Sequence, residues 1–117
     1  MESFLFNVGM DINCDLGEGI GNDEVIMEFI GSCNIACGGH AGDLETMRRT
    51  VIMAKDFHVK IGAHPSFVDR LHFGRKVVKV SKETLKTQLL DQIYSLLKVL
   101  DSFGLPLHHV KPHGALY

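Results

Sequence analysis

The sequence has no excess of either charge and no long apolar run, and each absence removes a class of function. Lys and Arg number 12 against 14 Asp and Glu in 117 residues, a formal charge of -2. Such a chain lacks the broad cationic field that holds nucleic acid or an anionic membrane surface, so neither is expected as a partner. Its apolar pieces are short, such as Phe4-Leu5-Phe6 and Ile61-Gly62-Ala63, and fall far below the roughly 18 residues of a membrane span. Glu2 stands where a secretory signal carries basic residues, and the first apolar run stops at Asn7, so a cytoplasmic location is expected. Cysteine is scarce and odd in number, with only Cys14, Cys33 and Cys37, which fits reduced thiols, those of Cys33 and Cys37 in the core, and no disulfide.

Standard ligand motifs are missing too. Asp11-x-Asn13-x-Asp15 opens like a calcium loop, but Leu16 and Asn22 occupy the positions that need Gly and Glu. The glycines at 17, 19 and 21 lack the third glycine of a dinucleotide fingerprint, and no Gly-Lys-Ser/Thr phosphate loop exists. They read equally well as a tight strand-to-helix turn or a ligand-facing loop. Cys33 and Cys37 have no second pair nearby, which excludes a zinc ribbon, and the one His-x-x-x-His spacing, His109 to His113, runs through Pro112 in an expected strand and not along a helix. A metal site would have to be assembled across strands, from His40, His64 and an Asp of the first strand.

What the chain does have is histidine, seven in all, more than Tyr and Pro together. Their setting follows from periodicity. Extended segments are expected at 8–14, 33–37, 59–63 and 108–112, alternating with helical patterns. Asn22 or Asp23 can cap a short helix. Asp43 caps a second, with Leu44, Met47, Val51 and Ala54 on one side, and Ser81 caps the longest, with a stripe of Leu85, Leu89, Ile93, Leu96 and Leu100. With no repeat, low-complexity tract or linker, residues 1–117 read as a single α/β domain of four strand-plus-crossover units, with 1–9 an extension.

Residues two apart share a face of a strand. Asp11, Asn13 and Asp15 share one face of the first strand; Asn34, Ala36, Gly38 and His40 of the second; Gly62 and His64 of the third; Lys111 and His113 of the fourth. Each strand thus delivers polar groups at or beyond its carboxyl end, where parallel α/β folds place their ligands. Asp15, His40, His64, Lys111 and His113 are therefore the candidate catalytic residues, offering a base, oxyanion donors and a cation. Arg70 and Arg75 either reach an anionic group or solvate their loop. His58 and His72 read as a helix end and a surface group, and adjacent His108 and His109 are expected to face opposite ways without pairing.

The runs Asp11-Ile-Asn-Cys-Asp-Leu-Gly-Glu18, Asn34-Ile-Ala-Cys-Gly-Gly-His-Ala-Gly-Asp43, Ile61-Gly-Ala-His-Pro-Ser66, Phe73-Gly-Arg75 and Val110-Lys-Pro-His-Gly-Ala-Leu-Tyr117 resemble the family of 5-oxoprolinase A-type subunits, also called the lactam-utilisation protein family. The resemblance runs from about Asp11 to Tyr117. It implies a (β/α) barrel of the glycoside hydrolase/deacetylase type. It also implies ATP-dependent opening of 5-oxo-L-proline to L-glutamate with partner subunits B and C, with magnesium accompanying the ATP. Asp11, Asn13, Glu18, Asp43, Arg70 and Arg75 are then expected to contact substrate. Gly39 stands where the family carries an aromatic residue, a change expected to enlarge the pocket or loosen the packing of substrate. Such a barrel takes about 250 residues, so these four units are expected to be the amino-terminal part of a longer chain or one of two associating halves, self-associating through open sheet edges. The alternatives are a metal-dependent amide or polysaccharide deacetylase and a non-catalytic lactam-binding protein.

Overall fold

The computed structural model describes residues 10–117; the expected 1–9 extension and the first part of the expected 8–14 strand lie outside them. Among the described residues four strands alternate with three helices: β1 (Asn13–Leu16), α1 (Asp23–Met27), β2 (Ser32–Ala36), α2 (Leu44–Asp56), β3 (Lys60–His64), α3 (Lys82–Ser102) and β4 (His109–Val110), followed by a 3₁₀ turn (Gly114–Leu116). All pairings are parallel and the strands lie in the order β1-β2-β3-β4. A doubly wound sheet reverses beside its first strand; uninterrupted sequential order is that of a barrel wall.

Local chemistry sets the helices. The Asp43 carboxylate accepts from Thr46 N at 2.8 Å and caps α2, and Ser81 Oγ accepts from Thr84 N at 3.1 Å and caps α3. The cap of α1 departs from expectation. Asn22 sits at the cap position in the left-handed region, φ 68°, with no side-chain cap bond. Asp23 instead accepts from Gly17 N at 2.9 Å, tying the helix back to the turn it leaves.

The sheet has two chemically different faces. The rows Cys14–Cys33–Ile61 and Leu16–Ile35–Ala63 are in register and meet Met47, Val51 and Ala54 of α2 and Leu96, Val99 and Leu100 of α3 in one core cluster. Each such large aliphatic side chain, once buried, contributes about 1.5–3 kcal/mol. The opposite face carries the row Asp15–Asn34–Gly62–His109 and, above it, Ala36–His64. β1 and β4 each have one strand neighbour among the described residues. No helix among those residues is long and apolar enough to cross a membrane.

Burial pushes the Cys33 thiol up to about 12 and the Cys37 thiol up to about 11, so both stay protonated and unreactive near neutral pH. The native chain is expected to take iodoacetamide at Cys14 at most, and at all three cysteines once denatured, as read by intact mass. Rapid native labelling at Cys33 or Cys37 would mean that the core between sheet and helices is open.

Candidate functional site

The polar face of the sheet is a hydrogen-bonded ladder. Ser32 Oγ donates to Asp11 at 3.1 Å, and Asn13 Nδ2 donates to Ser32 Oγ at 2.9 Å and to Asn34 Oδ1 at 3.1 Å. Asn34 Nδ2 in turn donates to Asp15 Oδ1 at 2.9 Å, while its Oδ1 accepts from His109 Nε2. His109 reaches Asn34 by lying across Gly62, where a Cβ would run into the imidazole. That close approach requires glycine at the centre of β3.

At the carboxyl ends of the strands the ladder gives way to a buried cluster. His40, His64 and His113 are 2%, 1% and 8% exposed, and the Glu18 side chain is 8% exposed. The His40 and His113 rings stack with centroids 3.6 Å apart, and His64 meets both edge-on. Each ring has one nitrogen anchored. His64 Nδ1 donates to the Lys111 carbonyl at 2.6 Å and His113 Nε2 to the Phe73 carbonyl at 2.7 Å. Ser66 Oγ gives its hydrogen to the Phe67 carbonyl at 2.9 Å and so accepts from His40 Nδ1 at 3.1 Å. The other nitrogens point inward. His40 Nε2 is 2.6 Å from Glu18 Oε2, His64 Nε2 is 3.0 Å from His113 Nδ1, and His113 Nδ1 is 3.9 Å from Glu18 Oε2. These four donor atoms lie within 4.8 Å of one another, a group able to hold a metal ion. Burial pushes His64 and His113 below the ordinary histidine range, against the upward pull of the Lys111 and Phe73 carbonyls and of Asp15.

Above the cluster an open depression of about 430 Å³ is lined by Asp15, His64, Lys111, His113 and Tyr117, among others. Lys111 Nζ and the Asp15 carboxylate face each other at 3.4 Å, both part-exposed, with Asp15 Oδ2 also 3.4 Å from His64 Nε2. Burial alone would raise the Asp15 carboxyl, but the Asn34 amide, His64 and Lys111 outweigh it and hold the group below its usual value. An ionised carboxylate, a cation and fixed imidazoles thus meet at one solvent-accessible floor. A second depression of about 410 Å³ lies at the amino ends of β3 and β4, lined by His58, Ile61, Pro106 and His108 among others; the buried cluster has no part in it.

Comparison with known proteins gives this arrangement a family. The LamB/YcsF family profile matches residues 10–117. The chain belongs to the LamB/YcsF family. It is 49% identical over 115 residues to a protein of Bacillus cytotoxicus named as the A-type subunit of 5-oxoprolinase, with 94% of this chain and 46% of that protein covered. The crystal structure of a lactam utilization protein from Thermus thermophilus superimposes with a TM-score of 0.88 at 41% identity, covering 100% of this chain and 47% of that one. The chain therefore spans about half the length of these relatives.

Within this LamB/YcsF chain, Asp15, His40, His64, Lys111 and His113 come together as one group, with His40 buried beneath the others. The six residues expected on substrate separate. Asp11 lies at the foot of β1, four residues before Asp15 and so about 13 Å down an extended strand; alternation gave it the right face and the wrong end. Asn13 belongs to the ladder, and Glu18 turns inward onto His40. Asp43 is engaged as the cap of α2. Arg70 Nη1 donates to the carbonyls of Gly38 and Gly42 at 3.2 and 2.8 Å, clipping that loop, and Arg75 lies over the Phe73 ring at 5.1 Å. The pocket is not widened at Gly39, because a Cβ there would meet Gln92 Oε1 and Ser66 Oγ. Gln92, from the buried side of α3, fills that space by accepting from Ser66 N and donating to Ser66 O.

His108 and His109 also depart from expectation. Their Nδ1 atoms approach to 2.9 Å, because β4 is only two residues long and His108 lies outside it, free of strict alternation. Sequence reasoning missed Asn34 and His109 as parts of the site. The small Gly62 in register between them was the available signal.

Gly62→Ala is expected to displace His109 and lower stability by about 1–3 kcal/mol, the usual cost of overpacking. In urea denaturation, His109→Ala added to Gly62→Ala should recover part of that loss. A neutral Gly62→Ala would remove the crossing of His109 over β3.

Proposed function

We propose that this chain serves 5-oxoprolinase, opening the lactam 5-oxo-L-proline to L-glutamate with cleavage of ATP to ADP and phosphate, together with subunits B and C. The observation that carries the reading is the Asp15–Lys111 pair on an accessible floor, in a chain 49% identical to an A-type subunit of 5-oxoprolinase. The open edges of β1 and β4 are taken up by the remaining barrel units, from a longer chain or from a second half.

A five-membered lactam is a stable amide, and the role of ATP is to convert its carbonyl oxygen into a phosphate ester. Water then adds to the activated carbon, the ring nitrogen takes up a proton and leaves, and the resulting acyl phosphate is hydrolysed by a second water. Asp15, held ionised, is the base for the attacking water. His40 is the weaker candidate for that task, since both its nitrogens are engaged in a buried setting. Lys111 neutralises the phosphoryl group, with Arg75 as a second cation from the loop that carries Phe73. His64 and His113, each locked through one nitrogen, position the substrate and transfer protons. This sequence carries no standard phosphate-binding loop, so the nucleotide and its magnesium fall to a partner subunit or to loops of an unusual kind. A co-substrate of this kind supports the cytoplasmic reading.

A second reading, metal-dependent amide hydrolysis without ATP, is favoured by one observation, the convergence of Glu18, His40, His64 and His113. The two are separated by measuring glutamate formation from 5-oxoproline and ATP with the complete chain and subunits B and C, each omitted in turn. Turnover is expected only when this chain and ATP are both present. Asp15→Asn is expected to lose at least about 10²-fold of it with the fold unchanged, the lower end for loss of a general base. Wild-type turnover in that variant would take the base role from Asp15. Turnover that needs this chain but survives every substitution at the floor would leave it a role in binding alone.

A further inference from the structure

The hydrogens in the buried cluster do not balance by hydrogen bonding alone. With Nδ1–H of His40, Nδ1–H of His64 and Nε2–H of His113 all donated outward, the neutral rings turn only lone pairs inward. Those three lone pairs and the Glu18 carboxylate are crowded within 4.8 Å. One proton can bridge His40 to Glu18 and another His64 to His113, but the second would make an imidazolium where burial opposes it. A single divalent cation answers all four donors at once.

We propose that Glu18 Oε2, His40 Nε2, His64 Nε2 and His113 Nδ1 bind one divalent transition-metal ion. Three features support it beyond the count of donors. The spacing fits, since ligands at about 2.0–2.2 Å from a tetrahedral ion stand about 3.4 Å apart, and the observed separations run from 2.6 Å to at most 4.8 Å. The outer nitrogen of every imidazole is held by an oxygen acceptor, the arrangement that fixes tautomer and ring orientation in metal-binding histidines. The nitrogen-rich donor set selects zinc, iron, cobalt or nickel over magnesium and calcium, which prefer all-oxygen shells. Asp15, 3.4 Å from His64 Nε2, stands on the side of the depression, so the ion would face the same floor as the Asp15–Lys111 pair. The exposed His72–Asp69 and His108–His109 contacts have no such convergence.

A bound ion takes the inward nitrogens of His64 and His113 and so leaves them positioning and not proton transfer under the 5-oxoprolinase reading; the test reads metal and not turnover, and its outcome stands whichever substrate reading holds. The untagged complete chain, stripped with chelator, is titrated with zinc chloride by calorimetry and with cobalt(II) by visible absorption. One equivalent is expected to bind, with the intense cobalt bands of a tetrahedral nitrogen-rich site. His40→Ala and His113→Ala should each weaken zinc by more than the about 10- to 100-fold typical of losing an outer partner, and Ser66→Ala should fall within that range. His72→Ala and His108→Ala should bind as the parent does. Glu18→Gln preserves shape where an alanine variant fails to fold, and it should also weaken zinc and shift the cobalt bands. Absence of saturable binding, or one equivalent retained at parental affinity in His40→Ala, His113→Ala or Glu18→Gln, would overturn the proposal.

Discussion

The structure is organised around the need to keep three imidazoles and a carboxylate in a space from which water is largely excluded. A buried polar group without a partner costs about 1–3 kcal/mol, and this cluster brings together four such side chains. The imidazoles obtain their anchors from different parts of the chain. The Lys111 carbonyl follows β4, the Phe73 carbonyl comes from the loop after β3, and Ser66 is itself fastened by Gln92 of α3. Every buried side-chain nitrogen and oxygen among the described residues has a polar neighbour within hydrogen-bond reach.

The loop of residues 66–75 shows what that requirement does to backbone. Phe73 adopts φ 54° and Gly74 φ 67°, the left-handed region that an aromatic residue rarely enters. In that conformation the Phe73 carbonyl meets His113 while its ring packs edge-on against His40 and His113. Gly74 accepts the same geometry at no steric cost, and it must be small, since a Cβ there would press on the Cβ of His40. The local strain is offset by an anchored imidazole, a pattern that concentrates at functional sites.

Beneath the cluster, the ladder from Asp11 through Asn34 to His109 does for the sheet what the loops do for the rim. It fills one face of the sheet with polar groups that satisfy one another. It also carries position upward. His109 orients Asn34 across Gly62, Asn34 holds Asp15, and Asp15 meets Lys111 and His64. The opposite face is conventional apolar packing under α2 and α3. One sheet thus separates the residues that stabilise the fold from those that give it chemistry, and the period-two alternation of a strand is the cause.

That alternation is why much was legible from the order of residues. Four parallel strands, the caps at Asp43 and Ser81, the buried thiols and the shared location of Asp15, His40, His64, Lys111 and His113 all follow from short-range rules of period, capping and strand-end geometry. Partnership over long separations does not. Glu18 turning onto His40, Arg70 clipping the Gly38 and Gly42 carbonyls, Gln92 filling the space beside Gly39, and His109 crossing Gly62 each depend on where loops and helices finally pack. Which residues share a face was written in the order of amino acids alone, because alternation is a property of one strand. Which of them touch was left to the folded chain, because a hydrogen bond across the fold is set by packing that no local pattern encodes.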